Sequence, residues 1–81
     1  MPTHASRPLI EFGRRLRAAR LDAGHSQESL SHECGLHRTY IGSVERGERN
    51  IGLVNVVLLS KVLGVDPGEL VAGLSDECAD D

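Results

Sequence analysis

The stretch that decides the fold is Ser26 to Gly47, SQESLSHECGLHRTYIGSVERG. Ser26 is an N-cap candidate, because its hydroxyl can accept from the otherwise unpaired amides of a first helical turn. Glu28 then sits near the positive end of the helix dipole. The helix so begun runs to about Cys34, where Gly35 supplies the positive φ that a sharp exit needs. A second helix is predicted from Arg38 to the next glycine of this kind, Gly47. Leu30, Leu36, Ile41 and Val44 then form one inward cluster. The stretch is therefore a helix, a tight turn and a second helix.

The opposite stripe of the second helix carries Arg38, Thr39, Gly42, Ser43 and Arg46. Small or hydrogen-bonding residues and arginines on an exposed face suit a helix lying in the major groove of double-stranded DNA. Arginine can grip guanine O6 and N7 in a fork, and threonine or serine can reach either base type. Arg38, Thr39, Gly42 and Ser43 are the base-reading candidates.

Three segments carry a family resemblance: Q-E-x-L in the first helix, G-L-x-R-T-Y-I leading into the second, and V-E-R-G-E-R-N after it. Together they resemble the phage-repressor/Cro-like (Xre-type) helix-turn-helix family, and within it the short controller proteins of restriction–modification systems. The likeness spans roughly residues 9 to 72. It implies an all-α, five-helix repressor-like DNA-binding domain, with control of its own gene and of a neighbouring restriction–modification gene. In that family the cap and first residue of the first motif helix, here Ser26 and Gln27, meet phosphate oxygens through a helix N-terminal anion site. His37, at the corresponding cap of the second helix, joins them as a backbone candidate. It replaces a commoner Ser, Thr or Asp, so this helix start is expected to be loose until DNA binds. Arg46, Arg49 and Asn50 would follow the DNA backbone, although each alone is an ordinary surface residue. Tyr40 either covers the core with its ring or reaches a sugar-phosphate with its hydroxyl.

The chain has 81 residues, enough for one small domain with a single modest core. One Phe, one Tyr and no Trp leave that core to aliphatic side chains. The net charge of −3 runs against a DNA partner, but its distribution reverses the inference. Residues 1–50 hold eight arginines against six acidic residues, whereas residues 51–81 hold one lysine against six acids. Such asymmetry fits a DNA-facing end and a solvent- or partner-facing end. There is no apolar run long enough for a membrane span and no h-region after Met1, so a cytoplasmic location is expected. Cys34 and Cys78 have no C-x-x-C spacing and are expected as free thiols.

Taken in order, residues 1–6 are expected as a flexible arm, residues 7–74 as the domain and residues 75–81 as an acidic flexible tail. The first helix covers about 7 to 23, with Leu9, Phe12, Leu16, Ala19 and Ala23 on one stripe. Arg20 lies on the border of that stripe, where an unpaired charge is costly. The family resemblance supplies its partner, Glu45. After a loop over 48–52, a helix from 53 to 63 should turn Leu53, Val56, Leu59, Ser60 and Leu63 inward. Val54, Val57 and Leu58 then leave it apolar over more of its circumference than one core needs. A second copy of the chain is the expected cover, making a homodimer. Asp66, Pro67 and Glu69 announce a fifth helix with a capping box, reaching about Leu74. Its Leu70, Val71 and Leu74 are placed at the edge of the dimer interface.

His32, Cys34 and His37 cluster across the turn but lack a fourth ligand, so no metal is expected. No cofactor or small-molecule ligand is evident either. No nucleophile–base spacing and no phosphate-cradling glycine loop point to an enzyme. An antitoxin-like module, using the apolar helix to neutralise a partner protein, is the alternative from another functional class.

Overall fold

The computed structural model describes residues 6–75, and its elements are all helices: α1 Arg7–Asp22, α2 Gln27–Cys34, α3 Arg38–Glu45, α4 Leu53–Leu63 and α5 Pro67–Val71. The arm and the acidic tail expected at the two ends, apart from Ser6 and Ser75, lie outside the described residues, as does Cys78. The helix boundaries follow local chemistry. Ser26 and Ser29 close a reciprocal capping box at α2, and Gly35 and Gly64 end α2 and α4 at positive φ. Asp66 caps α5 through the Gly68 amide at 2.8 Å.

The core is aliphatic apart from Phe12 and Cys34. Leu16, Leu30, Ile41, Val44, Leu59 and Leu70 are at most 2% exposed, with Phe12, Val56 and Leu63 around them. Ser60 is buried among them, its hydroxyl donating to the Val56 carbonyl at 2.7 Å. Each such side chain withdrawn from water contributes about 1.5–3 kcal/mol.

Three expectations need correction here. Leu53 does not face the core: it is 76% exposed, because α4 begins there and its inward phase starts at Val56. Ala23 is exposed, since α1 ends one residue earlier. The fifth helix stops at Val71, and Asp66 caps it without the reciprocal box.

Two glycines set how closely α1 crosses the end of α3. A Cβ on Gly13 would lie 2.4 Å from the Glu45 carbonyl oxygen and 2.5 Å from that of Val44. A Cβ on Gly47 would lie 2.8 Å from the Cα of Ile10, and Gly47 also holds φ at +79°. Both obstacles are backbone, so neither can swing aside. On the other side of α1, Arg15 pairs with Glu11 and caps the end of α5, donating to Ala72 O at 2.7 Å and Leu70 O at 3.3 Å. Hydrogen bonding from Arg15, with a smaller contribution from Arg14, holds the Glu11 carboxyl below its ordinary pKa. A depressed carboxyl pKa stabilises the fold at neutral pH, and that support fades as pH falls through the folded value.

The crossing at Gly13 gives a direct test. Gly13→Ala should lower stability by about 1–3 kcal/mol through overpacking, despite alanine's better helix propensity. In a domain of this size each kcal/mol moves the melting midpoint by about 4–8 °C. An exposed change in the same helix, Ala18→Ser, should stay within about 0.5 kcal/mol in the same thermal melts.

Candidate nucleic-acid interface

The site is built on two helix starts. At α2, Ser26 Oγ accepts from Ser29 N at 2.9 Å and Ser29 Oγ accepts from Ser26 N at 3.0 Å. The half-buried His25 joins this cap, its Nδ1 lying 2.8 Å from Ser29 Oγ. At α3, His37 Nδ1 accepts from the Thr39 amide at 3.3 Å. The helix start expected to be loose is thus capped by imidazole, which requires a bare Nδ1.

Behind these starts lies the Arg20–Glu45 pair. Arg20 Nε and Nη2 meet the two Glu45 oxygens at 2.6 and 3.0 Å, and the side chains are only 7% and 3% exposed. Arg20 Nη1 also donates to the His25 carbonyl at 2.9 Å, and Gln27 Nε2 donates to Glu45 Oε1 at 3.0 Å. The fork geometry and the added bonds leave no buried polar side-chain atom unsatisfied among the described residues. A pair this dry is costly to break, because the survivor keeps its desolvation penalty.

The candidate contact residues divide by exposure. Arg38 and Thr39 at the start of α3 are exposed, as are Ser26, His37, Arg46, Arg49 and Asn50. Gln27 and Tyr40 are half-buried. Arg46 Nε bonds Glu48 at 3.1 Å, and that hydrogen bond, with the carboxylate's charge, raises the guanidinium's pKa above its ordinary value. The Arg49 guanidinium lies 5.5 Å from the centre of the Tyr40 ring. Tyr40 packs against the core while its hydroxyl accepts from Asn55 at 3.2 Å, so ring and hydroxyl are engaged at once.

Two base-reading candidates are not on open surface. Ser43 is 9% exposed and spends its hydroxyl on the Tyr40 carbonyl at 2.8 Å. Gly42 is buried beneath the side chains of Gln27 and Arg46. The N-terminus of α2 covers the middle of α3, and the open face narrows to the first turn and the exit. Glu48 and Asn55, which hold Arg46 and Tyr40, were not singled out by their sequence positions. Single polar residues in a loop or in an apolar helix carry no periodic signal.

On α4, Val54 is 80% exposed and Val57 48%, with the exposed Leu53 beside them. Leu58 and Leu74 are half-buried against the core. Leu70 requires correction: at 2% exposed it belongs to the core and cannot line a partner surface. Val71 is exposed. Cys34 is a buried free thiol, and among the described residues no three His, Cys, Asp or Glu side chains are grouped to hold a metal.

A two-helix motif (α2 and α3), with exposed arginines at the start and exit of its second helix and that helix tied to α1 by a buried ion pair, defines a helix-turn-helix protein. The helix-turn-helix family profile matches residues 16–70, and the chain belongs to this family. It is 51% identical over 61 residues to the control protein C.BamHI of Bacillus amyloliquefaciens, covering 74% of this chain and 75% of that protein. The crystal structure of the restriction–modification controller protein C.AhdI from Aeromonas hydrophila superposes with a TM-score of 0.74 at 50% identity, over 76% of this chain and 94% of that one. The controller C.Esp1396I, as a tetramer on its natural 35 base-pair operator, superposes with a TM-score of 0.70 at 34% identity, over 75% and 80% of the two chains. The chain is accordingly a DNA-binding regulator of the Xre/Cro type and not an enzyme.

Breaking the pair at the heart of the site should be severe. Glu45→Gln and Arg20→Met should each cost on the order of 3–5 kcal/mol. Against a total of roughly 4–12 kcal/mol for a domain of this length, thermal melts should show losses of many degrees. Shifts of only a degree or two in both variants would show that the pair contributes little.

Proposed function

We propose that this chain is a sequence-specific transcriptional regulator that binds a pseudo-palindromic operator as a homodimer, in the manner of a restriction–modification controller. The observation that carries this reading is the meeting of Gln27 and Arg46 over the middle of α3, with Arg38 and Thr39 exposed at its start and Arg49 over the Tyr40 ring. Arg38 and Thr39 enter the major groove and read base edges. Ser26, Gln27, His37, Tyr40, Arg46, Arg49 and Asn50 hold the phosphate backbone. No helix among the described residues is long and apolar enough to cross a membrane, and a DNA ligand fits a cytoplasmic location.

The homodimer forms through α4. Val54 and Val57 are spaced by one helical turn and exposed, with Leu53 adjacent and Leu58, Val71 and Leu74 at the margin. Across a two-fold axis each contact is made twice, so a small patch suffices. The two recognition helices then address half-sites about one helical turn, roughly 10 bp, apart. The relatives are transcription controllers, which disfavours the antitoxin-like alternative.

Arg38→Ala should cost about 1–3 kcal/mol on the best operator and relax preference at one base pair in each half-site. Arg49→Ala should weaken binding to all sequences and reduce the salt slope by about one unit. Titrations on specific and random duplexes at several salt concentrations separate the two. Equal losses on both duplexes in both variants would mean that the reading face has been misassigned.

The dimer is tested at Val54 rather than at the half-buried Leu58. Val54→Glu adds a carboxylate near the start of α4, where the helix dipole favours it. It should therefore give a folded monomer in analytical ultracentrifugation, with operator binding reduced far more than non-specific binding. A variant that stays dimeric would place the interface elsewhere.

A further inference from the structure

We infer that Glu45 serves DNA recognition as well as the core. It is the positioning residue that fixes the Gln27 carboxamide beside Arg46, over the bare backbone of Gly42, so that the two side chains contact the DNA strand as one unit. This rests on the operator-binding reading above. Gln27 belongs to α2 and Arg46 caps the end of α3, so only a cross-helix tie can hold them together. Glu45 supplies it: its Oε1 accepts from Gln27 Nε2 at 3.0 Å while Arg20 grips both of its oxygens. An ionised carboxylate only accepts, so it must meet the amide nitrogen of Gln27. The orientation of the carboxamide is thereby chosen, and Gln27 Oε1 and its second N–H remain for a ligand. A surface glutamine ordinarily loses rotamer freedom when it binds. Here that loss is taken on folding.

Gly42 completes the argument. Glycine inside a helix is unfavourable relative to alanine, so its presence calls for a cause. Gly13 and Gly47 have one in the fold, because backbone atoms stand where their Cβ would go. Gly42 does not: its φ is not positive, and a Cβ there would meet only side-chain ends. Those ends are Arg46 Nη1 and Gln27 Oε1 at 3.4 Å and Gln27 Nε2 at 3.7 Å. A methyl group would meet these ends at ordinary van der Waals distance, and only a longer side chain would have to part them.

Gln27 is the only glutamine in the chain, so its side-chain amide is identifiable in an NMR spectrum without further assignment. In the free protein its NH2 group should be ordered, in contrast to that of the exposed Asn50. Averaging as free as that of Asn50 would overturn the role given to Glu45. The second arm is a double-mutant cycle on an operator selected by the wild-type protein from random DNA. Gln27→Met should weaken operator binding roughly tenfold, as expected for a lost charge-assisted contact. Arg46→Ala should reduce the salt slope by about one unit. In an Arg46→Ala background the Gln27 substitution should cost much less. Independent, multiplicative losses, or unchanged binding by Gln27→Met, would overturn the inference while the operator reading stands. Failure of the wild-type protein to select any sequence would remove both.

Discussion

The Arg20–Glu45 pair is the interaction on which the other parts of this small domain depend. It joins α1 to the end of α3, and through the Arg20 bond to the His25 carbonyl and the Gln27 bond to Glu45 it reaches the start of α2 as well. With one phenylalanine and no tryptophan, the aliphatic core has little shape to distinguish one helix register from a neighbouring one. Directional hydrogen bonds to a dry carboxylate do distinguish them. The two close approaches at Gly13 and Gly47 act with the pair, since they bring the backbone of α1 against the last turn of α3, where Glu45 is seated.

The helices were legible because their ends are marked chemically. Ser26, Gly35, Gly47, Gly64 and the Asp66–Pro67 pair each have a local reason to start or stop a helix, and the structure uses all of them. The inward positions of α3 followed from periodicity alone. Leu53 and Leu70 did not, because in so apolar a segment periodicity cannot assign phase. Leu53 lies before the inward stripe of α4 begins, and Leu70 is drawn under the cover of α1. The site was legible as a set of residue types but not as a surface. Ser43 and Gly42 share the outward stripe by spacing, yet Gln27 at the start of α2 lies over Gly42, and Ser43 is buried with its hydroxyl turned to the Tyr40 carbonyl. Only the packing of α2 against α3 reveals this.

The charge distribution and the exposed apolar patch divide the molecule in a consistent way. Arginines dominate the half that carries the two motif helices, and the acidic half carries α4 and α5 with Leu53, Val54, Val57 and Val71 in water. A net negative chain can still address DNA when its positive groups are gathered on one side, although long-range attraction is weaker than for a basic protein. Glu48 moderates this further, since its carboxylate already pairs with Arg46.

The clamp that Arg15 places on α5 bears on how the chain acquires its structure. Its acceptors, the carbonyls of Leu70 and Ala72, lie more than fifty residues later in the chain, whereas most other helix contacts are nearer in sequence. During synthesis, α1 to α3 emerge with the Arg20 partners already available, but the guanidinium of Arg15 waits for the final turn. The fold therefore closes end to end, and that closure is the slow, non-local part of an otherwise local topology. Until it occurs, Leu70 and the core face it covers stay open to solvent, and a nascent chain paused before residue 70 exposes that apolar surface to other molecules.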